Sequence, residues 1–545
     1  MTDTSEFETH PVSPDQLQPA RYFAASYAGE HVAGTEFVIG AMFVAWGVGT
    51  HDILWGLLWG NLLAVLTWVL VCAPIAVDTR LTLYAYLERI AGPGTVKLYS
   101  AVNGILFCIL AGAMITVSAS AVRILFDVPA QVNWYPTNLS FVAIALAVGA
   151  VVVWVAVNGF RRVAQFAEVC APWMILMFVA GAMAVYPALK STVIEEGRSD
   201  DFMSIANHYI WRGDKSELGI WHVAAFAWIC NLAMHGGLSD MTVLRFAKKS
   251  SYGFFSALGM FIGHYLAWVC AGIMGAAAAM AMNTSIVQLD AGAVAFNALG
   301  AAGILAVIIA GWTTSNPTIY RAGLAFQSIN PKWDRVRVTI VTGIVTTIIA
   351  CFPFVFSKLM DFVGLMGLML APIGAVIVTE HWLLPKAGLT RYWSTFKGNT
   401  VNAAAVISWA AGLAAGLLLT HLGVHLYFLL TPVWIFTSAL YLLLASVMGA
   451  KQKFDEAAEQ EALESARKLA ERNFLTQPPF QNANTYRTTN ANLYGALAVL
   501  SLLCCLGIAI WAFFDAAHHE ALKSWMWLPT ITYFITAMLW VRAKE

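Results

Sequence analysis

The sequence has few charged residues. Lys, Arg, Asp and Glu make up 11% of its 545 residues, whereas about a quarter of a typical soluble domain is charged. Apolar residues make up 59%. Because the 31 basic and 31 acidic residues balance, the chain also lacks the basic excess of a nucleic-acid-binding protein. This composition predicts a polytopic protein embedded in the lipid bilayer, with no nucleic-acid partner.

The patterns of disulfide, metal and enzyme sites are missing as well. The eight cysteines lie almost entirely in apolar runs without CxxC spacing, which favours buried small hydrophobes over a disulfide framework or a zinc site. We find no metal-ligand cluster, nucleophile elbow or phosphate loop. The first 18 residues are polar and acidic and have no signal-peptide pattern. We therefore expect neither an enzyme nor a resident cofactor.

Long apolar runs dominate the rest of the chain. A spanning helix needs about 20 mostly apolar residues, and about fourteen runs meet this need. The predicted spans are 22–48, 53–77, 98–125, 138–157, 168–188, 220–245, 252–281, 299–327, 336–353, 359–384, 401–421, 425–449, 492–515 and 524–542. An even number of spans places both termini on one side of the membrane.

The basic residues predict which side that is. With the N-terminus inside, the cytoplasmic segments hold about 24 of the 31 Lys and Arg residues and the outside loops about 7. The pairs Arg161–Arg162 and Lys248–Lys249 both fall inside. We therefore expect a multi-pass protein of the plasma (cytoplasmic or inner) membrane, with both termini in the cytoplasm.

One polar insertion interrupts the C-terminal spans. Residues 451–473 are rich in Ala, Glu, Lys and Leu and contain no Gly or Pro, which is typical of a cytoplasmic amphipathic helix. We interpret this helix as a linker between the first twelve spans and a C-terminal pair, and a partner-binding helix is the alternative. No obligate protein partner is evident.

Two predicted spans combine glycine with ionisable residues. In the first, Gly29 and Gly34 flank Glu30 and His31. In the sixth, Asn231 and His235 precede Gly236, with Asp240 close by. Unsatisfied backbone groups cost several kcal/mol in lipid, so broken helices persist where they line a cavity. The sixth span follows the first at an offset of five spans, which is the offset of an inverted five-plus-five repeat in transporters. Close helix packing by glycine is the alternative.

A polar run follows an apolar stretch in the eighth span. In GWTTSNPTIYRAGL at 311–324, Thr313 and Thr314 offer two adjacent hydroxyl oxygens. Na⁺ prefers hard oxygen ligands, and main-chain carbonyls freed at the broken first helix would complete its shell. The alternative is that the hydroxyls bond back to carbonyls of their own helix.

Four segments resemble one known family. WTTSNPTIYRAGLAFQSI at 312–329 resembles the eighth-helix signature of the nucleobase:cation symporter-1 family, which includes cytosine/purine permeases and uracil, allantoin and hydantoin transporters. HDILWGLLWGNLLAVLTW at 51–68 resembles its second helix, GGLSDMTVLRFAKK at 236–249 its sixth, and 359–384 its tenth. The resemblance covers roughly residues 20 to 450.

The resemblance implies a fold and a function. The fold is an all-α, five-plus-five inverted-repeat (leucine-transporter-like) core, here with additional C-terminal helices. The function is symport of a nucleobase or related nitrogen heterocycle with a cation, by alternating access.

The resemblance also implies a set of site residues. The implied cation ligands are the carbonyls of Gly29 or Glu30 with Ala33, and Ala310, Thr313 and Thr314 on the eighth helix. The implied substrate-binding residues are Gly34, Asn231, His235, Gly236 and Asn316, with Asn316 as the amide that recognises the base. Phe107 and Leu110 stand at about the places where the family has a tryptophan and a glutamine on the third helix, so the base would lose a hydrogen-bonding partner there.

Protons are a second possible coupling ion. Glu30, His31 and His235 are ionisable groups in the predicted cavity, and a histidine titrates near neutrality. Protons would act instead of Na⁺ or together with it. The alternative is that Glu30 and His31 neutralise each other as a buried pair. We interpret His264 as a hydrogen-bonded core residue, and Glu380–His381 as interfacial.

The domain boundaries follow from the spans. They are a cytoplasmic tail at 1–20, helices 1–5 at 21–190, helices 6–10 at 219–385, helices 11–12 at 400–450, a linker at 451–490 and two extra helices at 491–545. A same-fold symporter for amino acids or another small polar solute is the alternative function. A channel or facilitator and a membrane sensor are other classes.

Overall fold

The computed structural model is α-helical throughout the residues that it describes. These are 10–157, 160–214, 216–330, 332–476 and 489–543, with the side chains of 160–167 and 489–490 excluded. Residues 1–9 of the predicted tail and 477–488 of the predicted linker therefore lie outside the description, as do the side chains of Arg161 and Arg162.

The main helices follow the chain in the order of the predicted spans. In the first half they are α1 (Ala20–His31), α2 (Thr35–Ala45), α3 (Thr50–Thr79), α4 (Leu83–Phe126), α5 (Leu139–Val157) and α6 (Phe160–Glu195). In the second half they are α7 (Ile220–Ile229), α8 (Leu232–His235), α9 (Met241–Leu244), α10 (Ser250–Ala281), α11 (Ala291–Leu299), α12 (Ala301–Ile329), α13 (Arg335–Ala350) and α14 (Val355–Lys386). The remainder are α15 (Ala403–His421), α16 (Leu426–Met448), α17 (Asp455–Thr476), α18 (Thr489–Phe513), α19 (His519–Trp525) and α20 (Trp527–Arg542).

Ten helices of the described chain are long and apolar enough to cross a membrane. Helices also lie at the other four of the fourteen predicted spans, but they are shorter or broken. The helices α13 and α20 have 16 residues each, and the first and sixth spans are interrupted. The chain is thus a multi-pass membrane protein.

The two interruptions lie where the glycine-rich segments predict them. The first span stops at His31, Val32 has non-helical angles (φ −91°, ψ 66°), and the helix restarts at Thr35. The sixth stops at Ile229 and continues as two single turns, with Leu238 at φ +62° between them. The predicted breaks are confirmed.

The central element is α12, which packs along α4 and lies beside the first break. In its most apolar window, 83% of the residues are buried inside the protein. Gly311 allows the close approach, because a Cβ there would lie 2.0 Å from Ser118 Oγ and 2.6 Å from Met114 O. The Ser118 hydroxyl donates a hydrogen bond across the interface to Ile308 O at 3.1 Å. Small residues and interhelical hydrogen bonds drive helix association in lipid, where burial of apolar surface cannot.

The extra C-terminal helices pack on one side of this core. Trp173 of α6 donates to Thr530 Oγ1 at 3.1 Å, and Tyr533 donates to Val169 O at 2.7 Å. The helix α20 therefore packs against the fifth span, and α18 does so through Phe513, whose ring lies 5.3 Å from that of Tyr186.

One end of the bundle is covered by α17, and we call it the tail face. It is formed by Asp78–Arg80, Arg245–Ala247, Arg391–Tyr392 and α17. Glu471 forms a two-pronged ion pair with Arg80, whose guanidinium is fully buried and also donates to Arg245 O at 2.9 Å and Ala247 O at 2.5 Å. Lys468 lies 2.5 Å from Asp78 Oδ1. The helix α17 is therefore docked, and its interpretation as a linker alone was incomplete.

The pair Glu380–His381, which the sequence predicts to be interfacial, lies inside the protein near the end of α14. Both residues are buried. Glu380 accepts hydrogen bonds from Tyr392 N at 2.6 Å and Tyr441 Oη at 2.7 Å, and His381 Nδ1 lies 2.5 Å from Tyr86 Oη. Their partners come from distant parts of the chain, so they form a buried network behind the tail face.

Candidate functional site

The break between α1 and α2 faces the polar run of α12. Thr314 Oγ1 lies 3.0 Å from Glu30 O and 3.2 Å from Ala310 O, and Thr313 Oγ1 lies 3.1 Å from Ala310 O. Four oxygens from two helices thus lie close together, and we call them the oxygen cluster. Uncharged and carbonyl oxygens suit Na⁺.

The carbonyl at the oxygen cluster is that of Glu30. Of the two carbonyls that the resemblance left open, only that of Glu30 contacts a threonine of the pair among the described hydrogen bonds. The Ala33 carbonyl accepts the Glu36 N–H at 3.2 Å at the start of α2. The threonine hydroxyls also bond back to the Ala310 carbonyl of their own helix, as the alternative interpretation of the Thr–Thr pair predicts.

A buried ion-pair network lies beside the oxygen cluster. Arg321 of α12 pairs with both carboxylate oxygens of Glu30, one of them at 3.0 Å, and its Nη2 lies 2.9 Å from Asp240 Oδ1. The other Asp240 oxygen accepts from Tyr27 Oη at 2.9 Å and from Trp68 Nε1 at 2.7 Å. We call Glu30, Arg321 and Asp240 the central triad. It connects the first broken helix, the second broken helix and α12.

Sequence reasoning missed Arg321, although it lies within the polar run at 311–324. An arginine at the middle of a membrane helix is costly unless it is paired, and that cost is the signal that could have identified it. The same pairing explains why Glu30 lies within a membrane helix, because Glu30 is the partner of Arg321. The alternative that Glu30 and His31 form a buried pair is wrong, because Glu30 uses both oxygens for Arg321 and His31 Nδ1 lies 2.9 Å from Tyr27 O.

A second polar group joins α2 to α10. Glu36 accepts a hydrogen bond from Trp268 Nε1, and its Oε1 lies 3.8 Å from His264 Nε2. Asn231, at the break of the sixth span, lies 3.3 Å from the same His264 nitrogen. The His31 and His264 rings lie 5.5 Å apart. His264 is buried and hydrogen-bonded as predicted, but it faces a cavity.

This cavity lies between the two broken helices and has a volume of about 50 Å³. Six of the predicted site residues line it, from the first, third, sixth and eighth spans: Glu30, His31, Ala33, Leu110, Asn231 and Thr314. Sequence reasoning did not predict the other polar residues of its wall, which are Thr35, Glu36, His264 and Thr318. A volume of this size holds a few water molecules and is smaller than typical ligand pockets of about 300 to 1,000 Å³.

The remaining predicted substrate residues lie outside the cavity wall. His235 Nε2 lies 2.9 Å from Trp228 O, and its ring packs on Trp68 at 4.8 Å. Gly236 packs against Gly374, where a Cβ would lie 1.8 Å from Gly236 O. Asn316 donates back to Trp312 O at 2.8 Å.

Two further predicted residues, Phe107 and Gly34, are buried but do not line the cavity. Phe107 is fully buried within the apolar core. A Cβ on Gly34 would lie 2.7 Å from Val117 Cγ1 and 3.2 Å from Gly311 N. Of the predicted cation ligands, Gly29, Ala310 and Thr313 are buried but do not line the cavity.

No family model and no curated protein matches the chain. Solved structures do match. Mhp1, a nucleobase-cation-symport-1 family transporter in a closed conformation with bromovinylhydantoin bound, aligns with a TM-score of 0.63 at 16% identity, covering 84% of this chain and 98% of Mhp1. Inward-facing Mhp1 aligns with a TM-score of 0.59 at 16% identity, covering 84% and 96%.

A substrate-bound, outward-open Na⁺-coupled sialic acid symporter also aligns, with a TM-score of 0.56 at 12% identity, covering 79% of this chain and 90% of the symporter. At these identities the likeness concerns the fold. The expected fold is confirmed: the chain has the five-plus-five, leucine-transporter-like architecture of these transporters, with additional C-terminal helices.

Proposed function

We propose that this protein is a secondary active transporter. It couples the inward movement of Na⁺ or H⁺ to uptake of a nucleobase or related nitrogen heterocycle, across the plasma (cytoplasmic or inner) membrane with both termini in the cytoplasm. Residues 21–190 and 219–385 are its two repeats. The observation that carries the proposal is the oxygen cluster, which joins the broken first helix to α12 beside a polar cavity.

The coupling follows from where the oxygen cluster lies. Its ligands come from two helices, Glu30 O from α1 and the others from α12. A cation held between them stabilises every conformation in which α1 and α12 are close, and it has no such effect once they separate. A ligand shifts an equilibrium by its differential affinity for the two states, so cation binding favours one orientation of the first helix.

The substrate site of the proposal is the cavity. Its small volume suits a closed state, and a heterocycle enters only when one broken helix moves. Asn231 supplies an amide, and amides pair well with adjacent donors and acceptors on a ring. His235, Gly236, Asn316, Gly34 and Phe107 would reach the substrate only after such a movement.

Na⁺ and H⁺ remain two forms of the proposal. The oxygen cluster favours Na⁺. Coupling to H⁺ is supported by two buried imidazole nitrogens that could carry a proton. Among the described residues, His31 Nε2 and His235 Nδ1 have no hydrogen-bond partner. The lack of a glutamine on the third helix, where Leu110 lines the cavity, favours the alternative of an amino acid or another small polar solute over a base.

The test is uptake into proteoliposomes. A labelled panel of cytosine, uracil, purines, allantoin and a set of amino acids is offered with an imposed Na⁺ gradient, an H⁺ gradient or none. Accumulation of one solute under one gradient identifies substrate and coupling ion together. Equal flux with and without gradients contradicts coupling and favours a facilitator.

A further inference from the structure

The cavity contains one carboxylate that lacks a basic partner. Glu36 lines the wall and is only 2% exposed. The Trp268 indole donates a hydrogen bond to its side chain, and His264 Nε2 lies 3.8 Å from its Oε1. Among the described residues, no Lys or Arg lies within ion-pair distance of it.

Three other buried carboxylates differ in this respect, because each has an arginine partner. Glu30 and Asp240 share Arg321. Asp290 forms a two-pronged pair with Arg123 at 2.6 and 2.8 Å. Glu380 has no such partner among the described ion pairs, but it accepts two hydrogen bonds behind the tail face and does not line the cavity. A buried charge without a partner costs several kcal/mol, and the first turn of α2 lowers that cost only in part, through its dipole. Glu36 is therefore suited to receive a positive group from outside the protein.

The charges around the cavity lead to the same conclusion. The cavity wall and the central triad together contain three carboxylates (Glu30, Glu36 and Asp240) and the guanidinium of Arg321, which pairs with Glu30 and Asp240. When all three carboxylates are ionised and the imidazoles are neutral, two negative charges are in excess. A cation at the oxygen cluster balances one of them and leaves the charge of Glu36.

The chemistry around Glu36 distinguishes between two kinds of cation. The oxygen cluster is built from carbonyl and hydroxyl oxygens, whereas the groups next to Glu36 are mostly nitrogen donors and acceptors: the Trp268 indole, the His264 ring and the Asn231 amide. Among the described residues, two buried ring nitrogens here, His31 Nε2 and His264 Nδ1, have no partner. Such a set matches an N–H-bearing organic cation better than a metal ion, which prefers hard oxygens.

We propose that Glu36 is the counter-ion for a positively charged group on the transported solute. The substrate class is then a small nitrogen heterocycle with an amidinium- or guanidinium-like edge. Glu36 receives that edge, while Asn231 and the free imidazole nitrogens bind the rest of the ring. This inference rests on the proposed function, because it places the solute in the same cavity.

The test is equilibrium binding to the purified protein in detergent, which needs no gradient. The probes are 2-aminoimidazolium, which is cationic at neutral pH, and 2-imidazolone, a neutral ring of the same size. We expect the cation to bind roughly tenfold tighter or more, a difference of about 1.4 kcal/mol. Glu36→Gln should abolish this preference and leave the affinity for the neutral ring unchanged.

Two variants serve as controls. Asp361→Asn removes a carboxylate whose side chain is 70% exposed and should leave the preference intact. Glu36→Asp keeps the charge and should keep the preference at lower affinity. If Glu36→Gln does not fold, the ratio of the two affinities in the unmodified protein still decides the matter.

Three results overturn the inference: equal or weaker binding of the cation, a preference that survives Glu36→Gln, or competition by Na⁺ that Glu36→Gln removes. The last would make Glu36 part of a metal-ion site. Failure of the proposed function is a separate result. Cation-selective binding without gradient-driven uptake contradicts the transporter proposal and supports the role of Glu36. Coupled uptake of neutral bases alone supports the transporter proposal and contradicts the role of Glu36.

Discussion

Two of the buried arginine networks in the described part of the chain are built alike and are placed differently. In the central triad, Arg321 holds two carboxylates that are each less than a tenth exposed, and all three residues belong to the core helices or the breaks between them. At the tail face, Arg80 is fully buried, but its partner Glu471 comes from α17 and its side chain is 14% exposed.

The difference concerns what happens when each network opens. Separating the triad leaves charges buried in the core without a partner, where the cost is several kcal/mol. Separating Glu471 from Arg80 lets water reach one partner, so the cost is smaller and salt reduces it further. The triad is thus suited to hold the broken helices firmly against α12 in the closed state, whereas the tail face opens at a lower cost.

The largest effect is expected from Arg321→Ala. The substitution leaves Glu30 and Asp240 buried without compensation, and removing one partner of a buried pair costs about 3 to 5 kcal/mol. We expect loss of the folded, monodisperse protein, measured by thermal unfolding in detergent. Lys358→Ala, which removes a cation whose side chain is 67% exposed, is the control. A melting temperature unchanged by Arg321→Ala would show that the triad does not stabilise the core.

The next effect is expected from the pair Thr313→Ala and Thr314→Ala. It removes two of the four oxygens of the oxygen cluster, so the Na⁺ concentration for half-maximal uptake should rise roughly tenfold or more with little change in stability. Thr532→Ala is the matched control, because that hydroxyl also bonds back to its own helix, at 2.9 Å, on an exposed surface. Unchanged Na⁺ activation in the double variant would contradict the cation assignment.

A smaller effect is expected from Glu471→Gln. It removes one charge of the tail-face pair while Arg80 keeps its bonds to Arg245 O and Ala247 O. Proteolysis within 455–476 should become several-fold faster, and high salt should speed cleavage of the unmodified protein towards the same rate. Glu461→Gln on the exposed side of α17 should cleave at the original rate. Equal protection in both variants would mean that the ion pair does not hold the helix.

The smallest effect is expected at the Lys190–Asp200 surface pair. Hydrogen bonding to Lys190 lowers the pKa of Asp200 below its usual 3.8. A lowered carboxyl pKa contributes stability that is present above the unfolded value and is lost as the pH falls through the folded value. Both side chains are about half exposed, so Asp200→Asn should leave the melting temperature at pH 7 unchanged within error. A clear drop at neutral pH would show that exposed pairs matter here as buried ones do.

The sequence predicted the parts of the fold that depend on local composition. Apolar runs located the helices, and the glycines around Glu30 and after His235 located both breaks, because a helix in lipid stops only where special residues permit it. It also placed Thr313 and Thr314 opposite the first break, through the family resemblance.

Long-range pairing could not be predicted in this way. Arg321 pairs with Glu30, which is 291 positions away in sequence, and His381 contacts Tyr86, which is 295 positions away. Nothing local indicates such partners. The docking of α17 was missed for another reason: a helix rich in Glu and Lys has the same pattern whether it faces water or a buried arginine such as Arg80.

The docked α17 is also a tethered ligand of its own protein. Residues 449–454 join it directly to α16, so its local concentration at the tail face is set by a short tether and lies in the millimolar range for flexible linkers of this kind. Contacts too weak to hold a free peptide are then enough to keep the helix docked. A released α17 rebinds by an intramolecular step, whose rate does not depend on how much protein the membrane contains.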